Sequence, residues 1–137
     1  MCIRDRTYTQ FALGARRFDR LLTTTATSFL ETRSLLWQAR AAGVPTVVLL
    51  THPFEFVKGD RLDPSARRVN RVNQRRLQRM CEFLASHPAE FEAVSFAGAA
   101  PGWLNGGPAP APALKAPLLP VLARIAENKA NDLIPAF

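Results

Sequence analysis

The segment Pro45–Phe56, PTVVLLTHPFEF, constrains the fold more than any other stretch. Residues 46–50 form a continuous run rich in β-branched side chains, and the run does not alternate. Such a run predicts a strand buried on both faces, as in a parallel sheet covered by helices. The strand ends at His52, one of two histidines in the chain, and Pro53 stiffens the backbone after it.

The flanks carry helical signals. Upstream, Ser28 and Glu31 have the spacing of a capping box. Phe29 and Leu36, and Leu30 and Trp37, are seven apart, so each pair falls on one face. Gly43 suits the left-handed residue after a helix and Pro45 stops continuation, which predicts a helix at about 27–42. Downstream, after a loop at 53–62, Asp63 and Pro64 suit an N-cap and first helical residue. The predicted helix runs from 64 to about 86, with Val69, Val72, Leu77, Met80, Cys81 and Leu84 on a broad apolar face. Cys81 is expected to be a buried thiol. Asn73 falls inside that face. It either holds a neighbouring loop by hydrogen bonds or sits at a partly wet edge. Arg67, Arg68, Arg71, Arg75 and Arg79 fall on the other side.

Residues 91–97, FEAVSFA, read as a second strand. Residues 98–117 hold four of the seven glycines and five of the eleven prolines, which marks a loop or linker. Residues 118–133 read as a last helix in a C-terminal segment 118–137. Residues 7–24 are ambiguous: RRFDRLLTTT could be a short helix or an irregular loop. The leader MCIRDR, residues 1–6, resembles translated adapter sequence at the ends of reading frames from assembled environmental DNA. It is expected to be non-native and the chain to be an N-terminally truncated fragment. The order predicts an α/β chain with parallel strands.

Composition narrows the function classes. An apolar content of 47% argues for a folded core. No apolar stretch approaches the roughly 18 residues of a membrane span. Two cysteines, Cys2 and Cys81, supply neither a disulfide framework nor a Cys-rich metal site, and the compartment stays open. Much of the net charge of +7 comes from the arginines between 67 and 79. They read either as a solvated helix face or as a surface for nucleic acid or acidic polysaccharide. The aromatic interleaving of a single-strand platform is missing, so nucleic acid is not the expected partner.

In parallel α/β folds functional groups collect at the carboxyl ends of strands, which is where His52 is placed. An imidazole there serves as acid or base near neutral pH, or merely bonds its own loop. GVPTVVLLTHPFEF, followed by a loop and NRVNQRRLQRMCEFLASHPAEFEAVSF, resembles the C-terminal part of a polysaccharide deacetylase, the NodB-homology domain of carbohydrate esterase family four. The resemblance covers about residues 28–97 and is best at 43–57 and 70–96. It implies that residues 7–97 are part of a distorted (β/α) barrel. It further implies hydrolysis of N-acetyl groups on an amino-sugar polysaccharide or oligosaccharide. A divalent metal, usually zinc, held by an aspartate and two histidines, polarises the acetyl carbonyl and activates water. By position, His52 is the acid that protonates the leaving amine, and Leu50 lines the pocket for the acetyl methyl.

The chain departs from that pattern. It has no paired-aspartate motif and no His-x-x-x-His motif, and Pro53 and Phe54 stand where many members carry a small or acidic residue. His87 falls at a predicted helix end and is read as such, not as a ligand. The metal is therefore expected in the full-length parent, with none bound to this chain. The competing expectation is a non-catalytic carbohydrate-binding relative.

Overall fold

The computed structural model describes residues 7–13, 16–59, 65, 67–105 and 113–133. It is a mixed α/β structure. The leader 1–6, the Asp63–Pro64 pair, 60–62 of the expected loop, 106–112 of the expected linker and the tail 134–137 lie outside those residues.

The ambiguous N-terminal stretch is a β-hairpin. β1 (Thr7–Leu13) pairs antiparallel with β2 (Arg16–Leu21), Tyr8 opposite Arg20 and Thr9 opposite Asp19. A segment of chain flanks the hairpin on each side. Thr9 donates its N–H to the Leu114 carbonyl (2.8 Å) and accepts from the Ala116 N–H (3.0 Å), forming a single parallel bridge with Lys115. The Leu50 N–H donates to the Leu22 carbonyl (3.0 Å), beside a parallel bridge between Thr23 and Leu50.

The predicted strand at 46–50 is thus irregular chain with a single bridge at Leu50, and among the described residues it forms no ladder. Its residues are half-buried, less than the burial on both faces that the sequence predicts. Val47 and Leu49, two apart and so on one face, pack on the core of Tyr8, Leu22 and Leu35, joined by Leu114 and Ala116. Val48 and Leu50, on the other face, are also half-buried.

α1 (Phe29–Ala41) has both bonds of the capping box: the Glu31 N–H donates to Ser28 Oγ (3.2 Å) and the Ser28 N–H to Glu31 Oε2 (2.7 Å). It ends on Gly43 at φ +67°, with Gly43 N–H on the Arg40 carbonyl and Val44 N–H on the Ala39 carbonyl. These are the two bonds of a Schellman end, which glycine closes without a Cβ penalty. The face turned inward is Glu31, Thr32, Leu35 and Ala39, while Leu30 and Trp37 are partly exposed.

The predicted 64–86 helix begins later. Residues 67–69 form β4 (Arg67–Val69), paired antiparallel with β3 (Val57–Gly59). α2 (Arg71–Ser86) starts after Asn70, whose side chain caps it by accepting the Asn73 N–H. Val69 therefore belongs to a strand and is exposed. The buried face of α2 is Asn73, Arg76, Met80 and Phe83. Cys81 lies outside that face and is exposed, a correction to the expected buried thiol.

The predicted strand at 91–97 is not a strand. Residues 91–95 are irregular, and α3 (Phe96–Asn105), with Pro101 inside it, takes up the start of the expected linker. Phe91 is drawn into side-chain packing with Trp37 (ring centroids 5.1 Å apart) instead of a ladder. Among the described residues both sheets are antiparallel pairs, no barrel is closed, and the predicted parallel pairing of 46–51 with 92–96 does not form. α4 (Leu118–Leu133) covers the predicted range. It is tied to α1 by a buried ion pair, Arg124 Nε to Glu31 Oε1 (3.2 Å) and Oε2 (3.0 Å).

Candidate functional site

His52 sits where the segment 46–50 leaves the core. Its backbone is extended (φ −122°, ψ 139°), and it caps a short 3-10 turn, Pro53–Phe56. Proline at the first position of that turn gives up no needed N–H and fixes φ. The His52 carbonyl accepts the Glu55 N–H (3.0 Å), closing the turn. The imidazole is exposed and stacks on Phe54, with centroids 5.1 Å apart and planes 7° from parallel. Phe54 is itself 72% exposed.

The turn is pinned by side chains from the start of α2 and from the loop at 23–27. Asn70 and Asn73 both donate side-chain N–H groups to the Glu55 carbonyl, at 3.1 and 2.7 Å. The Glu55 side chain is buried, and its Oε1 accepts from Thr25 Oγ1 (3.1 Å). Arg76, buried on α2, donates to Asn73 Oδ1 (3.3 Å) and to the Thr24 carbonyl (3.4 Å), and pairs with Glu127 and Asn128 of α4. Asn131 of α4 donates to the Asn70 side chain (3.4 Å). The loop at 23–27 and the start of α2 therefore converge on the turn that carries His52, and α4 bonds the α2-side residues Asn70 and Arg76 behind it. A buried polar network of this kind fixes geometry when its members are paired. Glu55 Oε2 and Thr24 Oγ1 are buried without a hydrogen-bond partner among the described residues.

Of the two sequence-predicted site residues, Leu50 is half-buried and engaged at its N–H, and His52 is two residues on, in the open. Asn73 takes the first of its two sequence readings and holds the neighbouring loop. Sequence reasoning missed Glu55, Thr25 and Arg76. The threonine run at 23–25 and the asparagines at 70 and 73 were the available signal: clustered short polar side chains that bond backbone in loops and caps. A cavity of about 10 Å³, bordered by Thr24, Leu49, Arg76 and Met80, is the size of one water and is not bordered by His52. The His52–Phe54 pair is thus a surface feature.

His87 has different surroundings. It follows α2, its Nδ1 lies 2.8 Å from the Phe83 carbonyl and 2.9 Å from Ser86 Oγ, and its ring packs on Phe83 and Trp37. Among the described residues no group of three His, Cys, Asp or Glu side chains could hold a metal ion. The donor set among those residues does not fit the metal that the resemblance implies. No helix among the described residues is long and apolar enough to cross a membrane.

No family model, curated protein or solved structure matches the chain.

Proposed function

We propose that the chain is the C-terminal part of a metal-dependent polysaccharide deacetylase, a piece of its (β/α) barrel, in which His52 donates the proton to the leaving amine. In this reading the metal ligands, and a second aspartate that the resemblance implies as base, belong to the rest of the protein. The observation that carries the reading is the setting of His52. The residue is exposed where the half-buried segment ends, and its turn is held by Asn70 and Asn73, at the start of the helix that shares in the resemblance. An amine leaves poorly as an anion, so the tetrahedral intermediate collapses only when its nitrogen is protonated. An open imidazole on a fixed turn can approach that nitrogen. Leu50, two residues back, would border the acetyl methyl.

The test is turnover of an acetylated chitooligosaccharide by the complete protein. His52→Ala should lower it by about 10²–10⁴-fold, the usual range for removing a general acid, with metal content unchanged. His87→Ala should leave it near wild type. Near wild-type turnover in His52→Ala would make His52 a structural loop residue.

One observation favours a second reading, a non-catalytic carbohydrate-binding relative. Phe54, stacked on His52 and largely exposed, offers an apolar ring face to a sugar. Chitohexaose binding abolished by Phe54→Ala, in a complete protein without hydrolytic activity, would select it.

A further inference from the structure

Three elements meet at Arg76. The residue is buried on α2, and its planar guanidinium carries donors on more than one edge. Two of them serve α4: Nε donates to Glu127 Oε2 (3.1 Å) and Nη2 to Asn128 Oδ1 (2.7 Å). Nη1 serves the supports of the His52 turn instead. It donates to Asn73 Oδ1 (3.3 Å) and to the Thr24 carbonyl (3.4 Å). Both of these partners lead to Glu55. Asn73 donates its Nδ2 to the Glu55 carbonyl (2.7 Å), and Thr25, next to Thr24, donates its hydroxyl to Glu55 Oε1 (3.1 Å). The Glu55 N–H in turn donates to the His52 carbonyl (3.0 Å).

A second route joins the same two places. Asn131 of α4 donates to Asn70 Oδ1 (3.4 Å), and Asn70 donates to the Glu55 carbonyl (3.1 Å). Lys58, on β3 just after the turn, donates to the Asn131 carbonyl. We propose that α4 sets the position of His52 from a distance, as a strap acting through Arg76, and that Arg76 is a positioning residue for that histidine. What the histidine then does rests on the deacetylase reading. Charge-assisted bonds are the strong ones, and here they stand at the head of the chain, between Arg76 and α4. The Asn73 amide receives at Oδ1 and gives at Nδ2, so the bonds of the chain point one way and polarise one another. A buried guanidinium that loses α4 has donors left unpaired, and Asn73 and Thr24 lose the fixed plane they bond to.

The test is NMR of the chain, which has only two histidines. A ring stacked on a phenyl face is shielded, so the imidazole signals of His52 report its stacking on Phe54, and those of His87 serve as internal reference. Two variants break the strap: Glu127→Ala/Asn128→Ala, and Arg76→Lys, which keeps the charge but not the several edges. Asp132→Asn, exposed elsewhere on α4, is the control. The strap variants should move the His52 signals toward those of an unstacked imidazole. They should also speed amide exchange at Glu55 by about two- to tenfold, the range for one lost hydrogen bond. The His87 signals and the control should match wild type. If circular dichroism shows either variant unfolded, Asn128→Ala/Asn131→Ala, which leaves Glu127 on Arg76, carries the same expectation. Unchanged His52 signals and Glu55 exchange in folded variants would overturn the proposal. So would equal movement of both histidines, which is general loosening, or the same response from Asp132→Asn. No substrate is used, so a His52 that is not the acid leaves this result standing, and a missing strap leaves the His52 turnover test untouched.

Discussion

The two ends of α2 hold the two histidines in opposite ways. At the amino end the contacts are polar: Asn70, Asn73 and Arg76 bond backbone carbonyls and side chains of a turn and a loop, and the imidazole of His52 is left outside them. At the carboxyl end the contacts are aromatic. Phe83 meets Phe29, Trp37, Phe91 and His87 with ring centroids 4.4 to 6.2 Å apart, and His87 is half-buried among them. The difference separates two uses of one residue type. A ring packed edge-to-face and bonded at Nδ1 contributes to stability, whereas the exposed His52 ring contacts only Phe54 among the ring contacts of the described residues.

The contrast predicts effects of different kinds at the two ends. The largest is at the aromatic end. Phe83→Ala should destabilise the chain by about 3–5 kcal/mol, the range for emptying a buried phenyl site. Urea denaturation checks it, and a loss under about 1 kcal/mol would mean the cluster is a loose surface association. At the polar end Asn73→Leu should cost about 1–3 kcal/mol, because it strips partners from the buried Arg76 and the Glu55 carbonyl. It should also increase the mobility of the His52 turn, seen as faster amide exchange at Glu55, while the exchange of α1 stays as slow as in wild type.

A pH-dependent effect belongs to the core of Tyr8, Leu22 and Leu35. Burial, and then the Glu31 carboxylate, push the Tyr8 phenol up to about 12 from its ordinary value of 10. The fold therefore favours the protonated phenol. Its contribution is complete below pH 10 and is lost as pH rises toward 12. Tyr8 is the single tyrosine of the chain, so tyrosinate absorbance reads it directly. Ionisation should coincide with alkaline unfolding, and a simple titration near pH 10 with the fold intact would contradict the buried setting. Smallest is Gly43→Ala, expected to cost about 1–2 kcal/mol from the left-handed backbone alone, since a Cβ there meets open space.

Local chemistry carried the parts of this fold that were legible in the sequence. Ser28 and Glu31 announced a capping box, Gly43 a helix end, and 118–133 a helix, because each depends on neighbours within a few residues. What the sequence hid depends on distant partners. Glu31 was legible as a cap but not as the buried partner of Arg124, 93 residues away. Arg76 looked like one more arginine in a basic run until Glu127 and the Thr24 carbonyl came beside it. Residues 91–97 have strand-like composition, yet Phe91 found a better burial against Trp37 and Phe83, and no described strand lies beside it. The hairpin at 7–21 gave no clear alternation, and its pairing is irregular between Thr9 and Phe11. At the candidate site the histidine was legible, and Asn73 as a holder of a neighbouring loop was one of two readings, while Glu55 and Thr25 were not legible, since they come together only across loops.

The deacetylase reading turns on His52 as proton donor to a leaving amine, and the leaving group itself tests it. In the complete protein, wild type and His52→Ala can be compared on an N-acetyl amide and on an acetyl ester of a nitrophenol, which departs without a proton. The expected loss is about 10²–10⁴-fold on the amide and almost none on the ester. Equal losses on both substrates, or none on the amide, would contradict the assignment of His52 as the acid.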